Sequence, residues 1–181
     1  MLAKNPTISS QVVTAKTVEE IHRCSTSIVF QDCTSVEWGT IGQELASRIT
    51  LQALTFLRCN IGKEFFQGLR SSKYLLRLEL VHAWLETEQC NIAEEAVGDI
   101  TSLKLEELVL SNARDIQMTG CQDVDVLLSH LQNMENLKQL DMPDHFIKEL
   151  SLSELRVTQI KADGRCTMPT DSQKSVRADQ P

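Results

Sequence analysis

The sequence predicts a repeating α/β fold, a curved solenoid with parallel strands on its concave side and helices on its convex side. The first observation is a recurring frame, apolar-x-x-apolar-x-apolar, whose clearest copy runs from Leu51 to Phe56 and is followed by Cys59. The second is helical patterning between the copies. One strand–helix unit cannot bury both of its faces, so neighbouring units must stack around a continuous core. About five to six divergent repeats are expected.

Each copy of the frame is predicted to form a strand. The first copy has the polar Ser25 where an apolar residue is expected. The last interval, of 15 residues, is too short for a helix, so the array is predicted to end in a unit that contains only a strand. The copies begin near residues 25, 51, 75, 105, 137 and 152.

Between the strands, apolar residues recur with the period of a helix, about 3.6 residues. The strongest segment is 122–134, where Val124, Leu127 and Leu131 share one face with Leu128 and Met134. Helices are therefore predicted at 39–49, 63–70, 92–100 and 122–134.

The two ends of the chain differ from its middle. Residues 1–16 are polar and mixed, and we expect a loose lead-in there. Thr17 and Glu20 have the spacing of a capping box, which predicts a short helix over 17–23 that covers the open end of the stack. The chain is thus divided into a lead-in with a capping helix at 1–24, a repeat domain at 25–162 and a disordered polar tail at 163–181.

Composition limits the class of protein. The net charge of −7 disfavours a general nucleic-acid or anionic-membrane binder, which needs basic residues to neutralise phosphates. No apolar run reaches the roughly 18 to 20 residues that span a bilayer, and the first residues lack the apolar core of a secretory signal. The expected location is the cytoplasm.

Six cysteines are scattered singly along the chain, and an even number leaves disulfides as an alternative. Cys33 and Cys59 occupy the same position in consecutive repeats, which favours reduced and buried thiols. His22 and Cys24 lie close together, but no second pair completes a metal site. We therefore predict no metal, no cofactor and no catalytic group.

The six frames resemble those of leucine-rich repeat proteins, in particular the ribonuclease-inhibitor-like class that also forms the sensing ends of NOD-like receptors. The resemblance covers about residues 25–160 and is carried best by Leu51 to Gly62 and Leu105 to Ala113. It implies the solenoid fold and protein binding. The chain departs from the family at Ala83, Ala113 and His145, where Asn or Cys is usual, so looser turns are expected there.

Strand residues alternate in direction, so the residues between the apolar frame positions are expected on the concave surface. Apolar side chains beside charged ones on such a surface are typical of a binding patch. Trp84 is added because tryptophan is a common interface anchor. Scattered surface valines and a packing role for the tryptophan are the plainer alternatives. The residues predicted to bind a partner are Leu57, Arg77, Glu79, Val81, Trp84, Glu107 and Val109.

The sequence therefore predicts a non-enzymatic module that binds a partner protein on its concave face. The repeat scaffold fixes the contact side chains before binding, which limits the loss of entropy on association. The alternative is a set of C-terminal sensor or autoinhibitory repeats from a NOD-like innate immune receptor, whose nucleotide-binding domain is not in this chain. The oligomeric state is left open.

Overall fold

The computed structural model describes residues 6–81, 84–86, 92–110, 129–142, 155–162 and 165–166. These residues form a mixed α/β structure whose main feature is an eight-stranded sheet. The helices are Ala15–Glu19 (α1), Trp38–Ala46 (α2), Lys63–Leu69 (α3) and Ile92–Thr101 (α4). The strands are Thr7–Ser9 (β1), Ser27–Gln31 (β2), Ala53–Leu57 (β3), Asn60–Gly62 (β4), Arg77–Val81 (β5), Trp84–Glu86 (β6), Glu107–Val109 (β7), Gln139–Met142 (β8), Gln159–Ala162 (β9) and Arg165–Cys166 (β10).

The sheet has the order β1-β2-β3-β5-β7-β8-β9-β10, and its first seven strands are parallel. Across this sheet the strands follow one another in chain order. Strands β4 and β6 form a separate parallel pair. Five of the predicted strands, β2, β3, β5, β7 and β8, are confirmed at the positions given by the apolar frame.

The strands are paired without a shift in register. Leu54 is the Cα partner of Leu78, Leu78 of Leu108, and Leu108 of Leu140. All four leucines are at most 2% exposed. The apolar frame therefore builds one continuous row through the core, because equivalent residues of successive strands lie side by side.

The residue just before the strand makes the same backbone contacts at five successive junctions, from β2–β3 to β8–β9. Its carbonyl accepts two N–H groups from the next strand; the Gln52 carbonyl, for example, accepts from Leu76 and Arg77 at 2.8 and 3.0 Å. The same pair of hydrogen bonds is made to the carbonyls of Thr26, Gln52, Leu76, Glu106 and Lys138. Repetition of sequence is thus matched by repetition of backbone geometry.

The prediction for the last strand is wrong in register. The frame at 152 places the strand over 154–158, whereas β9 begins at Gln159 and repeats the junction bonds to Lys138. Val157, Ile160 and Ala162 are buried and give the same spacing, starting five residues later. The apolar pattern fits both registers, and the backbone pairing with β8 selects the later one.

The N-terminal lead-in is more ordered than predicted. Residues 7–9 form β1, which pairs with β2, and Ile8 is buried beside it. The predicted capping helix exists but starts earlier. Its N-cap is Thr14, whose hydroxyl accepts from the Thr17 N–H at 3.3 Å, while the Thr17 hydroxyl accepts from the Thr14 N–H. Both threonines can cap a helix, and the reciprocal pair fixes Thr14 in that role.

Arg48 joins this N-terminal segment to the repeats. Its side chain is 3% exposed and donates to the carbonyls of Val18 and Ile21 near the end of α1, at 2.5 and 3.3 Å. Desolvation by burial lowers the pKa of Arg48, and the nearby Glu44 carboxylate opposes that effect. The contact adds a charged donor to two carbonyls at the end of this helix, one of which, that of Val18, also accepts the Ile21 N–H at 3.0 Å.

Beyond Ala162 the sheet continues. Strand β10 pairs antiparallel with β9 through Arg165 and Cys166, within the segment for which the sequence predicted a disordered tail. Three predicted helices are confirmed as α2, α3 and α4. Of the predicted helix over 122–134, residues 129–132 are helical and 122–128 lie outside the described residues. Ala83, Ala113 and His145 also lie outside them.

The core beneath the first strands is aromatic. Phe30 and Phe56 stack with their ring centroids 5.0 Å apart, and Trp38 and Phe65 contact Phe56 edge-on. The Trp38 indole N–H donates to the Asn60 carbonyl at 2.8 Å. Helices α2 and α3 therefore pack against the buried side of β2 and β3, and no helix among the described residues packs on the opposite side of these strands.

Close contact between α2 and α3 depends on glycine. A Cβ added at Gly42 lies 2.3 Å from the Phe65 carbonyl oxygen, and one added at Gly68 lies 2.5 Å from the Gly39 carbonyl oxygen. No side chain fits at these distances, so the two backbones touch directly. This contact fixes the separation of neighbouring helices and, through them, the strands that they cover.

Candidate partner-binding surface

Strands β2, β3 and β5 have one buried side and one side that solvent reaches. Their inward side chains, such as Phe30, Phe56 and Leu80, are at most 1% exposed. Their outward side chains alternate with these along each strand. We call this outward set, together with Glu107 of the neighbouring strand β7, the open face: Ser27, Val29, Gln31, Ala53, Thr55, Leu57, Arg77, Glu79, Val81 and Glu107, of which Arg77 is exposed and the others are half-buried.

The apolar part of the open face lies at the ends of β3 and β5. Leu57 and Val81 are Cα partners in adjacent strands, and both are half-buried. The structure thus brings together two of the residues that the sequence predicted to bind a partner. The pair offers a small aliphatic surface beside the polar residues of the same strands.

The charged part of the open face is an ordered network. Arg77 donates to Oε1 of Glu79 from Nε, at 3.0 Å, and from Nη2. Its Nη1 lies 3.2 Å from Oε2 of Glu107, which is the Cα partner of Arg77 on the next strand. The Thr55 hydroxyl donates to Oε2 of Glu79 at 2.6 Å. Four side chains from three strands are therefore held in fixed positions relative to one another.

The surroundings of Arg77 favour its charged form. Burial tends to lower the pKa of Arg77, but the hydrogen bond to Glu79 and the charges of Glu79 and Glu107 outweigh it, so the pKa is raised. The network contains one cation and two carboxylates and carries a net charge of −1. The side chains of Arg77, Glu79 and Glu107 are 47%, 18% and 22% exposed, so all three can be reached from solvent.

Val109 does not lie at the surface, so the prediction that it is exposed for partner binding is wrong. It is 9% exposed, although it is the Cα partner of the half-buried Glu79. Asp141, its own partner on β8, is 7% exposed. Neither residue belongs to the main hydrophobic cluster on the inward side. Alternation fixes the side of the sheet to which a residue points, but it does not determine whether that side is covered.

The two tryptophans lie in different surroundings. The backbone of Trp84 belongs to β6, where it pairs with Asn60 of β4 in the small second sheet, and its side chain lies outside the described residues. Trp38 is 3% exposed and belongs to the aromatic core. The interface role predicted for Trp84 therefore stays a prediction.

A further feature at the strand ends was not predicted. Ser10, Asp32 and Arg58 each directly follow a strand and have positive φ angles of 53°, 54° and 51°. Two of them form an exposed pair, in which Arg58 donates from Nε and Nη2 to both Asp32 carboxylate oxygens at 2.6 and 2.7 Å. The three residues share a position one residue after a strand, and only Asp32 is of a type that is enriched in the left-handed region.

The cysteines that follow these residues are part of the same repeated turn. The Cys33 thiol donates to the Ile8 carbonyl of the preceding strand at 3.4 Å, and the Cys59 thiol donates to the Phe30 carbonyl at 3.3 Å. Desolvation by burial raises the pKa of Cys59 to about 12. Both residues are free thiols, as is the exposed Cys24. They bond backbone groups in the turn rather than present a reactive sulfur.

Comparison with protein-family models found no matching family, and comparison with curated proteins found no matching sequence. Across the described ranges, no helix is both long and apolar enough to cross a membrane. In the same part of the chain, no group of three or more His, Cys, Asp or Glu side chains is arranged to hold a metal ion.

Proposed function

We propose that this chain is a leucine-rich repeat solenoid that acts as a non-enzymatic protein-binding module, with the open face as its contact surface. Support for the solenoid comes from the unshifted register of the strands, the identical junction bonds and the equivalent positive-φ residues. Such recurrence is expected when each repeat contacts mainly its neighbours. The concave shape of the strand side belongs to the same proposal.

The observation that carries the binding function is the composition of the open face. An aliphatic pair, Leu57 and Val81, lies on the same strands as the ordered network of Arg77, Glu79 and Glu107. Side chains that are already held in place lose little conformational entropy when a partner binds. Apolar groups bordered by charged ones are also typical of transient protein interfaces.

The cytoplasm is the proposed compartment. Cys33 and Cys59 are buried in consecutive turns, where each thiol donates a hydrogen bond to backbone. Thiols persist in a reducing environment, whereas secreted domains commonly use cysteines in disulfides. The proposed module therefore meets its partner inside the cell.

Affinity capture with mass spectrometry tests the function. We expect Leu57→Asp and Val81→Asp to lose partners that the unchanged protein retains, because each places a charge in the aliphatic pair. Val36→Asp is the matched control: Val36 is 97% exposed and lies outside the open face. Retention of every partner by both open-face variants, with unfolding transitions like that of the control, rejects the proposal.

A further inference from the structure

The charges on the open face determine which charged groups of a partner can bind there. Arg77 is shared between two carboxylates, so the network has an excess of negative charge. Glu79 uses Oε1 for Arg77 and Oε2 for Thr55. Glu107 uses Oε2 for Arg77, and its Oε1 has no hydrogen-bond partner among the described residues. Glu107 is thus the carboxylate with acceptor capacity left for an incoming cation.

Strand geometry fixes the distance between this acceptor and the aliphatic pair. Glu107 is in register with Arg77, and Val81 lies four residues further along the strand of Arg77. A rise of about 3.3 Å per residue and a strand spacing of about 4.8 Å place the two positions about 14 Å apart. An extended chain covers that distance in four residues, and residues four apart lie on the same side of it.

We infer that the open face binds an extended segment of a partner protein that carries a lysine or arginine four residues from an aliphatic side chain. The basic group pairs with Glu107, and the aliphatic group packs against Leu57 and Val81. The inference rests on the proposed function and specifies the chemistry of the partner. The carboxylate excess supplies the complementary charge, and the aliphatic pair supplies the surface that is removed from water.

Synthetic peptides test this inference on the full chain. Four peptides share a Ser/Thr background that favours an extended backbone. They carry Leu and Lys four residues apart, Leu and Lys three apart, Leu and Glu four apart, or Ala and Lys four apart. Binding is followed by fluorescence polarisation. We expect the first peptide to bind at least about fivefold more tightly than each of the others, which corresponds to a modest ion pair or a single packed side chain.

Variants at Glu107 distinguish recognition of the peptide's charge from nonspecific binding. Glu107→Gln should remove the preference for Lys over Glu, and Glu107→Lys should reverse it. Glu106→Gln is the matched control, because Glu106 pairs with Lys138 at 2.9 Å and precedes the open-face position by one residue. Glu106→Gln should leave the preference unchanged. Unfolding curves establish that each variant is folded before binding is compared.

Three results overturn the inference: equal affinity for the Lys and Glu peptides, a preference that survives Glu107→Gln, or no binding of any peptide at about 1 mM, the weak end of specific association. The capture experiment distinguishes this failure from failure of the proposed function. If Leu57→Asp and Val81→Asp lose partners but Glu107→Gln captures the same partners as the unchanged protein, only the inference of a basic partner is rejected. Retention of partners in all of these variants rejects the binding face itself.

Discussion

One row of outward side chains runs across the sheet, and its two halves differ. Val29, Thr55 and Glu79 on β2, β3 and β5 are half-buried, whereas Val109 and Asp141 on β7 and β8 are buried. Register and alternation are the same in both halves. The repeat therefore determines where a side chain points, and the surroundings determine whether it can meet a partner. The candidate surface covers the first half and extends onto β7 only at the half-buried Glu107.

The inward sides of the two halves differ as well. Beneath β2 and β3 lies the ring cluster of Phe30, Phe56, Trp38 and Phe65. Among the described residues beneath β7 and β8, the buried side chains are leucines and methionines such as Leu108 and Met142. Aromatic rings bury more area per residue and add specific edge and face contacts. The first half thus combines the more elaborate core with the more accessible surface.

Truncation of the core should give the largest effects and should differ between the halves. Phe56→Ala is expected to lower the free energy of unfolding by about 3 to 5 kcal/mol. Leu140→Ala, at a buried inward position of β8 that is in register with Leu54, is expected to cost less, because ring contacts add about 0.5 to 1.5 kcal/mol per pair. Urea denaturation of both variants measures the difference. An equal or larger loss for Leu140→Ala contradicts the view that the aromatic half is the more tightly packed.

A charged residue introduced on the outward row should lower stability much more in the second half than in the first. Val109→Asp is expected to lower stability by about 3 kcal/mol, because it buries a carboxylate without a partner. Val81→Asp is expected to cost less than about 1 kcal/mol, since its side chain reaches solvent. Denaturant midpoints and slopes for the two variants give the comparison. Similar losses for both variants contradict the division of the row into open and covered parts.

The apolar frame was sufficient to predict most of the sheet. Its spacing located β2, β3, β5, β7 and β8, because buried parallel strands need the same inward positions in every repeat. It failed at β9, where Val157 belongs to two overlapping frames five residues apart. Only pairing with β8 distinguishes them, and that information is not local in the sequence.

The candidate surface was less predictable than the fold. The sequence correctly paired Leu57 with Val81 and Arg77 with Glu107, because both pairs follow from register. It could not show that Val109 is covered, since coverage depends on parts of the chain outside the strand. The positive φ at Asp32 and Arg58 was not predicted either, because neither residue is a glycine and only aspartate is enriched in that region.

The buried thiol of Cys59 should make the first half sensitive to alkali. Its pKa is raised from 9.0 to about 12, so the native state resists ionisation that the unfolded chain accepts. The contribution to stability is full below pH 9 and is lost as the pH rises towards 12, by at most about 1.4 kcal/mol per pH unit. Urea midpoints for the unchanged protein and Cys59→Ala between pH 7 and 10.5 measure this loss. Parallel pH profiles for the two proteins refute it.

Removal of an exposed ion pair should have the smallest effect on stability. One such pair lies in each half, so the two halves can again be compared. Asp32 and Arg58 form a two-bond pair in the first half, and Glu106 and Lys138 form a single contact in the second. The hydrogen bond from Arg58 lowers the pKa of Asp32, although desolvation opposes it. The pair therefore stabilises the fold above the ordinary aspartate pKa of 3.8, and this contribution is lost as the pH falls through the lowered value.

Asp32→Asn is expected to shift the urea midpoint slightly more than Glu106→Gln at pH 7, because a two-bond guanidinium–carboxylate pair has the better geometry. Both shifts should shrink at high salt, since solvent-exposed charges are screened. At pH 3 the gap between Asp32→Asn and the unchanged protein should narrow, because protonation of Asp32 already weakens the pair. A larger and salt-independent shift for Glu106→Gln would show that its pair is coupled to the packing of β7 and β8.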